Sequence, residues 1–362
     1  MQKELITSKQ GISIMILFLF GSTVVVGSGG DAKQDAWIAI ILGFFFSLPF
    51  IWLYGKILET FPGKDLFEVI IEVFGLSFGK LIILLFSWYA IHLGALVVRN
   101  FTEFIHIVSL TSTPQYVIAA FMGLISIYMV KSGVEVMGRW ASFMLPFILI
   151  IIYINIGLLI KDMNWLNLKP VLYDGFKPLI KPSFSVFSFP FAETVLFTAV
   201  LSSLKLKQNT SYGKVFFISA LIGGVTILLA TLRNLLILGS HTTEVLFFPS
   251  FTANKIINIG DILERVEISI SMVFLLSGLI KLSICLLVAS KGVSKLFNFK
   301  EIKDIVTPVA LLLLTLSCII YESANEMVEW ITVYPYYAIP FQIILPIFIY
   351  VSMLYKLKLK KK

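Results

Sequence analysis

The sequence predicts an all-α polytopic membrane protein of ten transmembrane helices, arranged as a five-plus-five inverted repeat with broken helices 1 and 6. Three observations carry that reading. Of 362 residues, 58% are hydrophobic and only 14% charged, against about half and about a quarter in ordinary globular proteins. Apolar stretches of about 20 residues recur along the whole chain, the length needed to cross a hydrocarbon core about 30 Å thick. The first and sixth stretches are each interrupted, and they hold corresponding positions in the two halves.

The spans fall at 11–30, 35–58, 79–108, 115–131, 139–160, 183–204, 213–239, 263–290, 305–321 and 335–356. This divides a single membrane domain into one five-helix repeat over 1–160 and a second over 183–356. Span 1 precedes Gly27-Ser28-Gly29-Gly30-Asp31 and no small-residue cleavage site, so it reads as a retained helix and not a signal peptide. Between spans 2 and 3, Asp65, Glu68 and Glu72 alternate with apolar residues up to Phe74, an amphipathic helix suited to the cytoplasmic surface. The loop from Asp162 to Pro182, with Trp165 and repeated prolines, is expected to pack over the outer mouth.

Orientation follows from the basic residues. With the N-terminus inside, 19 of the 29 Lys and Arg fall in inside segments and 7 outside; Arg99, Arg233 and Lys281 remain within spans. Basic residues of short loops accumulate on the cytoplasmic side, so both termini are expected to be cytoplasmic. The net charge of +8 is therefore a topology signal. No region is both basic and rich in soluble structure, which argues against nucleic acid.

Span 1 carries Gly21-Ser22-Thr23 near its middle, and span 6 carries Ser188-Phe189-Pro190-Phe191-Ala192-Glu193. Either feature alone can mean close helix packing or a simple kink. Together, at matching positions, they point to a transporter-like core with its ligand site at the breaks, because unpaired backbone at membrane depth is tolerated only when buried in protein or lining a cavity.

Charges inside the spans sharpen the site. Lys281 lies deep in span 8, where an ammonium must snorkel, find a partner or face a cavity. Glu193 follows the break in span 6 and could cap a half-helix or bind a ligand ammonium. Arg99 and Glu103, four apart on span 3, share a face and read as a structural pair. Glu264 and Arg265 open span 8 as a cap or interhelical clamp.

His92, His106 and His241 lack further ligands at metal spacing, and Cys285 and Cys318 read as small buried hydrophobes. Asn209-Thr210-Ser211 fits a glycosylation pattern but falls on the inside in this topology. Hydrolase, zinc-protease and phosphate-loop signatures are absent, so no enzyme activity and no cofactor are expected.

A set of short segments resembles the endospore germination permeases, the B subunits of GerA-type nutrient germinant receptors. The segments are Gln10-Gly11-Ile12-Ser13-Ile14 with Phe20-Gly21-Ser22, Asp35-Ala36-Trp37-Ile38, and Asn167-Leu168-Lys169-Pro170-Val171 with Gly175 and Pro178. Further along come Ser188 to Glu193 with Leu196-Phe197, Phe248-Pro249-Ser250, Glu264-Arg265-Val266-Glu267 and the Lys-rich end. The resemblance covers nearly the whole chain and is collective, since no single segment is specific.

The resemblance implies a LeuT-like fold of the amino acid-polyamine-organocation transporter superfamily, placed in the spore inner membrane. It also implies recognition of a small nutrient, often an amino acid, and signalling to an A subunit and a C lipoprotein. The pocket such a fold forms from spans 1, 3, 6 and 8 maps onto Gly21, Ser22, Leu93, Gly94, Pro190, Phe191, Ile280 and Lys281. The sequence departs from the common pattern at Val24-Val25-Val26-Gly27 and in carrying Lys281. Three functions are compatible with these readings: a nutrient sensor acting through partners, a secondary amino-acid transporter acting alone, proton-coupled or uncoupled, and a structural subunit that anchors the A subunit.

Overall fold

A computed structural model describes residues 5–205, 210–257 and 265–360. Helices account for nearly all of it: α1 Ser8–Val26, α2 Ala36–Thr60, α3 Leu66–Val108, α4 Gln115–Ser132, α5 Val134–Leu158, α6 Ile180–Val186, α7 Tyr212–Leu238, α8 Ser240–Val245, α9 Pro249–Lys255, α10 Glu267–Phe297, α11 Ile302–Ile319, α12 Ala324–Ile339 and α13 Leu345–Lys360. Among the described residues, nine helical stretches are long and apolar enough to cross a membrane. The expected sixth span is not one of them. It runs as α6, a wide turn over Phe187–Phe191, a tight 3₁₀ stretch over Ala192–Ala199 and a last turn over Leu201–Ser203.

Burial sorts the helices into centre and rim. From Ile14 to Phe20 every residue of α1 is at most 1% exposed, as expected of a helix that is apolar all round and lies at the middle of a bundle. The middle of α10, from Ile280 to Ser290, is likewise buried without a break. By contrast α4, α5 and α11 turn Phe121, Leu124, Phe143, Ile150, Leu311 and Leu312 outward, a surface suited to lipid. The tight α3–α10 contact includes Gly278, over which the Phe101 ring lies, stacked on Phe274 at a centroid distance of 4.0 Å.

The start of the chain and the end of the sixth segment meet. Strand β1 (Ile6–Thr7) pairs in parallel with β2 (Leu204–Lys205), in register Ile6 with Leu204. Thr7 then caps α1: its hydroxyl accepts from Gln10 N–H, and the Gln10 side chain accepts from Thr7 N–H.

Two boundaries and the burial of one cysteine differ from the sequence reading. The amphipathic stretch after Asp65 is continuous with the third span; α3 takes in both, interrupted only at Gly75 with φ 77°. The last span begins at Ala324, eleven residues before the expected 335, and α12 and α13 are joined by a wide turn over Pro340–Ile344. Cys318 is exposed on α11 while Cys285 is buried. An apolar run inside a membrane helix includes lipid-facing positions, so it does not by itself imply burial against protein.

The loop between spans 5 and 6 is tied down near its start and at its middle. Asn164 N–H and the Asn167 side chain both donate to the Leu236 carbonyl near the end of α7. Leu172 N–H donates to both oxygens of Asp35 at 3.1 Å. Its residues Trp165, Tyr173 and Phe176 are exposed and do not line the cavity described below.

Candidate functional site

Both expected interruptions exist. Within α1 the backbone leaves helical geometry at Gly21, with φ 3° and ψ −98°. In the sixth segment it does so at Phe189, with φ −131° and ψ 108°, immediately before Pro190, which has no N–H to give. The freed Phe189 carbonyl accepts a hydrogen bond from Ser28 Oγ at 3.2 Å, so the chain just beyond α1 holds the second break.

Lys281 and Glu193 meet beside these breaks. Lys281 leaves α10, passes over the notch at Gly21 and places Nζ 2.6 Å from Glu193 Oε2, with both side chains fully buried. Its ammonium also lies over two rings, 5.1 Å from the Phe18 centroid and 4.7 Å from that of Phe189. A buried ammonium of this kind is tolerated only with its charge matched and its protons placed, and Glu193 supplies the match across 88 residues of sequence.

The other Glu193 oxygen continues the network. Tyr334 OH donates to Glu193 Oε1 at 2.7 Å and stands 3.0 Å from Tyr89 OH. Gln342 Nε2 donates to Tyr89 OH and to the Ser188 carbonyl, Ser188 Oγ donates back to Gln342 Oε1, and Tyr54 OH donates to the Gln342 carbonyl at 2.6 Å. One buried polar chain therefore links α2, α3, the sixth segment, α10, α12 and the turn after it.

A cavity with an open mouth lies against this pair. Among the described residues, the only charged ones lining it are Glu193 and Lys281, and most of the remaining wall is apolar or aromatic. Of the residues expected from sequence, Ser22, Leu93, Glu193 and Lys281 line it. Ser22 Oγ is buried with no hydrogen-bond partner among the described residues.

Gly21, Gly94, Pro190, Phe191 and Ile280 stand outside its wall. Gly21 makes room for the Lys281 side chain, and Gly94 packs against Leu313 and Cys285. Phe191 turns away toward Phe44, 5.7 Å between centroids. Ile280 is buried in the core.

Sequence reasoning missed Trp330 and Tyr334 as wall residues and Gln342 as their support, because 324–334 reads as a polar loop. A signal was present. Ser323-Ala324-Asn325-Glu326 has the spacing of a helix start, and Ser323 does accept from Glu326 N–H.

The remaining in-span charges have other places. Arg99 and Glu103 pair at 2.7 Å along one face of α3, beside a more polar hollow that also contains His106 and Glu322. Tyr321 belongs to both that hollow and the main cavity. Arg265 is exposed at the start of α10 with φ 66°, and Glu264 lies outside the described residues, as does Asn209.

Arg233 is fully buried on α7 and donates from Nε and Nη2 to Asn234 Oδ1. Asn234 donates to Ser250 Oγ, which donates to the Val24 carbonyl in the short half of α1. Among the described residues no cluster of three or more His, Cys, Asp or Glu side chains is placed to hold a metal ion.

Comparison with known proteins agrees in fold and family. Among solved structures the chain is similar to Mhp1, a nucleobase-cation-symport-1 family transporter in a closed conformation with bromovinylhydantoin bound. That likeness has a TM-score of 0.67 at 12% identity, over 91% of this chain and 75% of the other. It is also similar to a manganese transporter of Eremococcus coleocola, with a TM-score of 0.61 at 13% identity over 94% and 77%. These establish the LeuT-like transporter fold expected from sequence.

Spore germination protein KB of Bacillus subtilis (strain 168) is 28% identical over 367 residues, spanning 100% of this chain and 98% of that protein. The putative spore germination protein YfkT of the same organism is 24% identical over 323 residues, covering 88% and 87%. The family profile described as spore germination protein matches residues 5–327. With broken helices meeting at a buried charge pair in a transporter-type fold, and that profile matched over most of its length, the chain belongs to the spore germination permease family.

Proposed function

We propose that the chain is the integral membrane subunit of a spore nutrient germinant receptor. It binds a small nutrient, an amino acid by preference, and triggers germination through an A subunit and a C lipoprotein. It resides in the spore inner membrane with both termini cytoplasmic, as the distribution of basic residues favours. The observation that carries the reading is the cavity between Ser22, Leu93, Glu193 and Lys281, set against both breaks. A ligand held there touches the two segments whose backbone is already interrupted. By binding one arrangement of them better than another, it would shift their equilibrium.

The test uses spores. Filling the cavity by Leu93→Trp, with the chain still assembled in the membrane, is expected to abolish the response to the nutrient while leaving release by nutrient-independent agents intact. An unchanged nutrient response would overturn the reading.

A second reading, a secondary amino-acid transporter acting alone, is favoured by the transporter fold of both solved structures. Uptake of labelled amino acid into liposomes containing the purified chain alone would favour it over the sensor.

A further inference from the structure

We infer that the Glu193–Lys281 ion pair is the recognition element for a zwitterion, and that ligand binding opens it by exchange. Ligand ammonium takes the place of Lys281 on Glu193, and ligand carboxylate takes the place of Glu193 on Lys281. The inference rests on the reading of the cavity as the nutrient site and gives that site its chemical selectivity.

Three observations support exchange over a purely structural pair. First, among the described residues the pair supplies the only charges in the cavity wall, one of each sign, in contact at 2.6 Å. A ligand with both charges on one carbon matches both groups once they part, whereas a lone amine or a lone carboxylate would leave one protein charge buried and uncompensated. Second, each member has an independent hold that survives separation. Tyr334 OH keeps its hydrogen bond to Glu193 Oε1, and the rings of Phe18 and Phe189 keep the Lys281 ammonium between them. Neither group is left without a partner during the exchange. Third, Ser22 on the wall offers a buried hydroxyl that no group among the described residues satisfies. It is one further polar contact that a ligand at the first break would complete.

The exchange has a mechanical consequence. In the structure Lys281 ties α10, across the notch at Gly21, to the residue just past the second break. Replacing that direct tie by a ligand bridge frees the two segments to separate by the width of the ligand. A zwitterion thereby favours an arrangement that the direct ion pair does not.

The experiment is a binding titration of the purified full-length chain in lipid nanodiscs. The probes are the neutral α-amino acids and, for each that binds, its decarboxylated amine and its deaminated acid; for leucine these are isopentylamine and 4-methylpentanoate. Both half-ligands are expected to bind at least about 100-fold more weakly than the zwitterion. In the paired variant Glu193→Gln with Lys281→Met, which removes both charges together, that preference is expected to disappear.

A half-ligand within about 100-fold of its parent, or a zwitterion preference that persists in the double variant, overturns the exchange. Because the half-ligand comparison uses the unmodified chain, it holds even if the variant fails to fold. Binding of glucose but of no amino acid would overturn the exchange and leave the nutrient-site reading standing. If none of these probes binds and spores carrying Leu93→Trp still respond to nutrient, both fall.

Discussion

Gly21 and Lys281 are in contact across the centre of the molecule: a Cβ added at Gly21 would lie 2.3 Å from Lys281 Cδ and 3.2 Å from its Cβ. The missing side chain at the first break is thus what lets the lysine of α10 reach the glutamate beyond the second. Gly21→Ala is expected to displace Lys281 and to destabilise the protein by about 1–3 kcal/mol, the usual cost of overpacking. Thermal unfolding in detergent measures it. The loss is expected to be smaller in a Lys281→Ala background, a coupling expected only of residues in contact.

Tyr334 holds Glu193 from the side opposite Lys281. Tyr334→Phe removes the donor to Glu193 Oε1 and also breaks the contact with Tyr89 OH, leaving buried oxygens short of a partner. A destabilisation of about 1–3 kcal/mol is expected. Tyr89→Phe, which leaves the Glu193 bond intact, is expected to cost less. The comparison of the two variants in one unfolding assay separates the carboxylate's support from the rest of the network.

Ser250 anchors the short half of α1 from outside. Its hydroxyl receives Asn234 Nδ2–H and donates to the Val24 carbonyl at 2.5 Å, and Arg233 holds Asn234 in turn. Ser250→Ala is expected to raise amide hydrogen exchange at residues 22–26 without raising it at 12–18, since only the half beyond the break depends on this clamp. Equal protection of both halves would show that the clamp does not hold the break.

How much of this was legible beforehand depended on range. Fold class, the amphipathic helix after Asp65 and both breaks follow from hydropathy and from Gly and Pro chemistry, which are local. Ser22, Glu193 and Lys281 are marked by the breaks and charges of their own spans, whereas Leu93 is pointed to only by the family resemblance. That Lys281 is answered by Glu193 was not readable, because 88 residues separate them and only packing brings α10 over Gly21. Gly94 shows the opposite failure: a small residue at a pocket-forming level of span 3 turned out to admit Leu313 of the neighbouring helix. Tyr334 was hidden by the acids at 326 and 329, which made the first three turns of α12 look like loop.

Asp65 joins the surface helix to the end of the sixth segment. Its carboxylate caps α3 by accepting from Glu68 N–H at 3.0 Å. It also lies 3.8 Å from Lys291 Nζ, which donates to the Ala199 carbonyl at 2.8 Å. Asp65→Ala removes both functions: loss of the cap alone costs about 0.5–2 kcal/mol, and exchange is expected to rise at 66–74 and, through Lys291, at 196–201. Asp65→Asn keeps a capping oxygen but not the charge, so it is expected to spare 66–74 and loosen only 196–201. If Asn and Ala behave alike at 196–201 while differing at 66–74, the charge on Asp65 is what steadies Lys291. If 196–201 responds to neither, the surface helix is mechanically separate from the broken segment.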